Sequence, residues 1–165
     1  MHARKICMIG DFAVGKTSLV SRFVHSTFST QYLTTVGVKV DSRILDLANG
    51  EKIKLILWDI AGEKTLGSVE RTYLQGASGY LLVSDSTRRD TLQSTVELQR
   101  QAEKVIGPKP FVMLLNKSDL AEQQDIDQEL LGSLQGRNWD IRESSAKTGD
   151  GVEEAFSSLG ERLKD

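Results

Sequence analysis

Short apolar runs alternate along this chain with segments whose apolar residues recur every three or four positions. Ile6–Ile9, Tyr80–Val83 and Phe111–Leu115 are continuously apolar, which predicts strands covered on both faces. Between them, Leu19, Val20, Phe23 and Val24 mark one helix, and Leu92, Val96, Leu98 and Val105 another. Val152, Phe156, Leu159 and Leu163 fall at spacings of four, three and four and give the clearest helix. Asp150 with Glu153 three residues on predicts a capping box at its start. One segment breaks the alternation. Val38–Leu47 and Ile53–Asp59 flank Ala48-Asn49-Gly50-Glu51, and Asn-Gly between two such runs is a strong hairpin signal. The pattern therefore predicts an α/β fold with a mostly parallel sheet, one antiparallel edge strand and helices on both faces. Ligands in such sheets bind beyond the carboxyl ends of the strands.

Length and charge narrow this picture. The 165 residues fit a single domain spanning 1–165, and 39% apolar content suffices for a core. A net charge of −2 gives no global field for a nucleic-acid polymer or an anionic membrane. Cys7 is the single cysteine and suits a reducing compartment. The start, MHARKICMIG, is too short in apolar residues for a signal peptide, and no apolar run is long enough to span a bilayer. The last residues, GERLKD, offer no prenylation cysteine, and His2 rules out a myristoylated glycine. The expectation is a soluble cytoplasmic monomer, with membrane attachment only through a tail beyond this sequence.

The candidate chemistry follows the strands. GDFAVGKT, Gly10 to Thr17, with Ser18 after it, matches G-x-x-x-x-G-K-[ST] between a strand and a helix. Gly10 and Gly15 let the backbone of Asp11, Phe12, Ala13 and Val14 wrap a diphosphate, and the helix N-terminus adds partial positive charge. Lys16 reaches the β and γ phosphates, and the Thr17 hydroxyl ligates Mg²⁺. WDIAGEK, Trp58 to Lys64, ends a strand with Asp59, placed to hold Mg²⁺ through a water, and with Gly62, whose N–H would meet the γ phosphate. NKSD, Asn116 to Asp119, and SAK, Ser145 to Lys147, each follow a strand, the second a weaker one around Trp139–Arg142. The Asp119 carboxylate accepts from both the ring N–H and the exocyclic amine of guanine, a pair adenine lacks. Ala146 would offer its N–H to the guanine oxygen, and the Lys117 stem would pack on the purine.

With GDFAVGKT, TVGV at Thr35–Val38, WDIAG, NKSD and SAK in this order, the chain resembles the Ras superfamily of small GTPases over essentially its whole length. TVGV, WDIAG and DSTRRDT at Asp85–Thr91 look most like the Rab branch. The resemblance implies a three-layer P-loop G domain with a six-stranded sheet, binding of GTP and GDP, Mg²⁺ as cofactor, and two switch loops that order around the γ phosphate. It also implies protein effectors and regulators that read those loops. Carried over by motif, Thr35 would ligate Mg²⁺ with GTP bound, with Thr34 as the neighbour if the register slips. Phe28 matches an aromatic flanking the guanine, or serves only as an apolar anchor, and Tyr32 one that covers the phosphates.

Three departures bear on catalysis. Glu63 stands where the family usually has glutamine. Glutamine both accepts and donates, whereas an ionised glutamate only accepts and brings negative charge to a centre that must stabilise it. A buried, protonated glutamate would recover the donor. Phe12 and Ala13 replace small residues of the loop and would crowd an activating protein's arginine, and Leu33 is no built-in arginine. Two readings follow: a GTP switch with slow hydrolysis in which Lys16, Gly62, Thr35 and Glu63 act, or an interaction module that binds GTP and scarcely hydrolyses it. A P-loop kinase or adenine-using ATPase is opposed by Asp119. His2 and His25 read as structural or exposed, Cys7 as a buried strand residue, and Arg88-Arg89 with Glu97–Lys104 as solvated surface.

Overall fold

The computed structural model describes residues 1–26 and 38–164. Its elements run β1 (His2–Gly10), α1 (Lys16–His25), β2 (Val38–Asp46), β3 (Lys52–Ile60), α2 (Ser68–Leu74), β4 (Gly79–Asp85), α3 (Arg89–Ile106), β5 (Phe111–Asn116), α4 (Gln128–Gly136), β6 (Ile141–Glu143) and α5 (Val152–Glu161). The six strands form one sheet in the order β2-β3-β1-β4-β5-β6. β1 pairs in parallel with β3 and β4, and β5 in parallel with β4 and β6, while β2 runs antiparallel to β3.

The continuous apolar runs are strands buried on both sides, and alternate residues serve two separate cores. Ile6, Met8, Leu81, Val83, Val112 and Leu114 face α1 and α5, where Phe23 and Phe156 stack with centroids 4.0 Å apart. Cys7, Ile9, Tyr80, Leu82, Met113 and Leu115 face the other way, packed with Leu74, Leu98 and Leu134 from α2, α3 and α4. The hairpin turns where Asn-Gly predicts: Gly50 takes a φ of 87°, and Glu51 N–H bonds the Asn49 side chain at 2.9 Å.

Two local expectations are corrected. The α5 cap is Gly151 at φ 73°, with no side-chain hydrogen bond, so Asp150 and Glu153 form no capping box. The Glu153 carboxylate instead pairs with Arg43 of β2 at 2.6 Å. The weak strand begins at Ile141 rather than Trp139, because the Trp139 N–H is taken by Leu134 O of α4 at 3.3 Å instead of joining the sheet. Among the described residues no helix is long and apolar enough to cross a membrane. The parallel strands end together at Gly10, Ile60, Asp85, Asn116 and Glu143, so one rim of the sheet gathers the loops that follow them.

Candidate functional site

The loop from Gly10 to Lys16 is fixed through its carbonyls. Gly10 O accepts from Lys16 Nζ at 3.3 Å and from Glu63 N–H at 3.1 Å, and Asp11 O accepts from Lys16 Nζ at 3.2 Å. Phe12 O takes Arg88 Nη2 at 2.6 Å, Ala13 O takes Lys117 Nζ at 3.2 Å, and Val14 O takes Asn116 Nδ2 at 2.9 Å. In a planar trans peptide the following N–H points opposite to the carbonyl. Among the described residues no peptide bond is cis. Holding Phe12, Ala13 and Val14 by their oxygens therefore turns the N–H groups of Ala13, Val14 and Gly15 away from those donors. That geometry is a cradle of N–H groups suited to an anion.

The loop's conformation has a cost. Ala13 sits at φ 60° and Lys117 at φ 67°, left-handed positions that cost a non-glycine residue about 1–2 kcal/mol each. They are bonded to each other. Gly15, at φ 105°, could carry no side chain: a Cβ there would lie 2.3 Å from Asn116 Nδ2.

Lys16 and Asp59 lie at the floor of the site, 6% and 1% exposed, too buried for ordinary surface charges. Burial pulls the Lys16 ammonium down to about 8, against the pull of Asp59 and Asp11. Burial likewise raises the Asp59 carboxyl, opposed by the Thr17 hydrogen bond and by Lys16 and Lys39. Thr17 Oγ1 donates to Asp59 Oδ2 at 2.6 Å, while Asp59 Oδ1 is buried and accepts no hydrogen bond. A hydroxyl beside an orphaned carboxylate oxygen is the hard-oxygen donor set that Mg²⁺ takes, so the residues present fit that ion. Gly62 closes the site from the other side. A Cβ on it would meet Phe12 Cα at 2.7 Å and Lys16 Nζ at 2.9 Å. Glu63 is exposed rather than buried.

Across the rim, Ser145 Oγ donates to Asp119 Oδ1 at 2.7 Å, joining NKSD to SAK. Ser118 N–H bonds Ser144 O at 3.0 Å, and Ser144 Oγ reaches Asn116 Oδ1 at 3.2 Å. Ser145 O is taken by Gly149 N–H at 2.8 Å, which turns the buried Ala146 N–H the opposite way. Arg22 of α1 clamps the loop from behind through Ala146 O at 2.8 Å and Lys147 O at 2.6 Å. Lys147 and Phe12 are exposed, Phe12 by 63%. Ser18 is buried at the start of α1.

The structure thus gathers the residues singled out from GDFAVGKT, WDIAG, NKSD and SAK on one rim. Phe28, Tyr32, Leu33, Thr34 and Thr35 lie outside the described residues. Sequence reasoning missed Arg22, Asp85 and Arg88, and the solvated-surface reading of Arg88 is corrected. Its guanidinium bonds the Phe12 carbonyl, and its Nε is buried 3.5 Å from Asp85 Oδ2. The signal was position: Asp85 ends a strand, and the residues to Arg88 lead from it onto the same rim as every other motif.

A phosphate loop at the head of a six-stranded sheet, a metal-suited carboxylate and hydroxyl, and two base-side loops define the P-loop GTPase class. Compared with known protein families, residues 5–165 match the model of the Ras family, and the chain belongs to that family. Its members in general bind GTP and GDP, hydrolyse GTP and act as switches, typically with Mg²⁺.

Proposed function

We propose that this chain is a Rab-like G domain, residues 1–165, that binds GTP firmly, hydrolyses it slowly and presents different surfaces in its two nucleotide states. The observation that carries this reading is the direct bonding of the guanine-side motif to the phosphate loop, Asn116 to Val14 and Lys117 to Ala13. The N–H groups of Ala13, Val14 and Gly15 cradle the phosphates, and Lys16 neutralises the β and γ oxygens. Asp119 selects guanine, with Ser145 fixing its carboxylate, and Ala146 N–H meets the guanine oxygen. Thr17 and Asp59, with Thr35 as the motif implies, would hold Mg²⁺, which would supply charge neutralisation at the phosphates. Water attacks the γ phosphorus in line as the bond to the β–γ bridging oxygen breaks, with charge drawn toward Lys16 and Gly62 N–H.

Thr35 and Glu63 place that water. An exposed glutamate can accept its proton but adds negative charge beside the transferred phosphoryl group, which supports slow turnover. Single-turnover GTP hydrolysis tests this. Glu63→Gln is expected to raise the rate by about tenfold. A slower Glu63→Gln or Glu63→Ala would mean that the glutamate takes part in the chemistry and is no brake. The second reading, an interaction module with scarcely any hydrolysis, is favoured by the exposed Phe12 ring at the mouth of the loop. It predicts that Glu63→Gln leaves wild-type turnover at background. Effectors and regulators would read the surface around Gly62–Tyr73, and the domain would act as a cytoplasmic monomer.

A further inference from the structure

The carboxylate of Asp85 is claimed by neither the phosphate motif nor the guanine motif, yet its Oδ2 meets two cations. It ends β4, directly across the ladder from Asn116, and its side chain is 2% exposed. Oδ2 lies 2.8 Å from Lys117 Nζ and 3.5 Å from Arg88 Nε. Oδ1 accepts from Thr87 N–H at 2.9 Å and from Thr87 Oγ1 at 2.6 Å, so the group cannot swing away. Each cation then holds one carbonyl of the phosphate loop, Arg88 that of Phe12 and Lys117 that of Ala13.

We propose that Asp85 is a positioning residue that couples base recognition to phosphate binding; the proposal rests on the guanine-nucleotide reading above. One carboxylate orients two cations, and the two cations set two consecutive peptide planes. Those planes carry the N–H groups of Ala13 and Val14. A purine packed along the Lys117 stem restrains the same ammonium that holds Ala13 O. Filling the base site therefore stiffens the phosphate cradle, and the left-handed conformations of Ala13 and Lys117 persist because Asp85 holds the donor in place.

The test compares GDP with GMP, which shares the base and sugar but lacks the β phosphate. Titration calorimetry on wild type, Asp85→Asn and Arg88→Met measures both affinities, with a thermal melt of each protein. Asp85→Asn is expected to weaken GDP by about ten- to a hundredfold, the loss of a charge-assisted hydrogen bond, and GMP by less than about threefold. Arg88→Met should weaken GDP by about fivefold in wild type and scarcely at all once Asp85→Asn is present, because it then acts through a link already broken. A side chain that merely supported the fold would lower both affinities together. The proposal is overturned if folded Asp85→Asn keeps the wild-type ratio of GDP to GMP affinity. It is also overturned if Arg88→Met costs the same factor in both backgrounds. Should Asp85→Asn fail to fold, the ratio measured on Arg88→Met decides alone. Wild type that binds neither nucleotide overturns the guanine-nucleotide reading itself, a result distinct from binding that ignores Asp85.

Discussion

Behind the phosphate loop, five consecutive carbonyls from Gly10 to Val14 are held by donors, three of them by side chains just before α3 and at or just past the end of β5. Along Gly62–Leu66 the ties are sparser and partly exposed. Glu63 N–H reaches Gly10 O, Lys64 Nζ meets exposed Asp90 at 3.1 Å, and Leu66 N–H bonds the Gln101 side chain at 2.6 Å. Buried, multiply bonded groups resist displacement, while solvent-exposed pairs exchange with water at little cost. On the function proposed above, the contrast would separate binding, built into the interior, from hydrolysis and partner contact, placed on a more exposed segment. Substitutions in the first region should abolish nucleotide binding, and those in the second should alter turnover with binding kept.

Lys16→Ala gives the largest effect. Losing a desolvated cation from the phosphates should weaken GDP by about a thousandfold in calorimetry, and a loss under about tenfold would erase the contrast. Asp119→Asn comes next, lowering GTP affinity by about a hundredfold. Xanthosine triphosphate, which has an oxygen where guanine has its amine, should gain in affinity. No gain there would detach Asp119 from the base. Gly62→Ala belongs to the second region: its methyl would press on Phe12 and Lys16, slowing single-turnover hydrolysis by about tenfold. GDP affinity should stay within about threefold, and an equal loss of GDP binding would place Gly62 in the first region instead. Lys64→Ala is the smallest, shifting the hydrolysis rate by less than about threefold, because the Lys64 side chain is exposed and its shorter ion pair, to Asp90, is exposed too, while buried Asp11 lies farther off at 3.5 Å.

Two-sided burial made β1, β4 and β5 legible in the sequence, since a strand covered on both faces has no polar positions to interrupt it. The phosphate and base-side motifs were legible because their chemistry fixes both residue type and spacing. What the sequence concealed lies in contacts between distant segments. Asp150 and Glu153 have capping-box spacing, but Gly151 turns the chain through a left-handed conformation and Arg43 draws Glu153 away. Arg88 resembles any surface arginine until the end of β4 is set beside the phosphate loop. Arg22 lies on the same helix as the apolar Leu19 and Phe23, and only the fold brings the Ala146 and Lys147 carbonyls to it.

The hydrogen bonds from Asn116 to Val14 and from Lys117 to Ala13 span 102 and 104 residues. During synthesis the loop near the N-terminus therefore leaves the ribosome long before the side chains that finish it. At about 5–20 residues per second, that interval lasts about 5–20 s. Throughout it the chain carries the phosphate-loop motif without the bonds that shape it, so a nascent chain should capture GDP only after β5 has emerged.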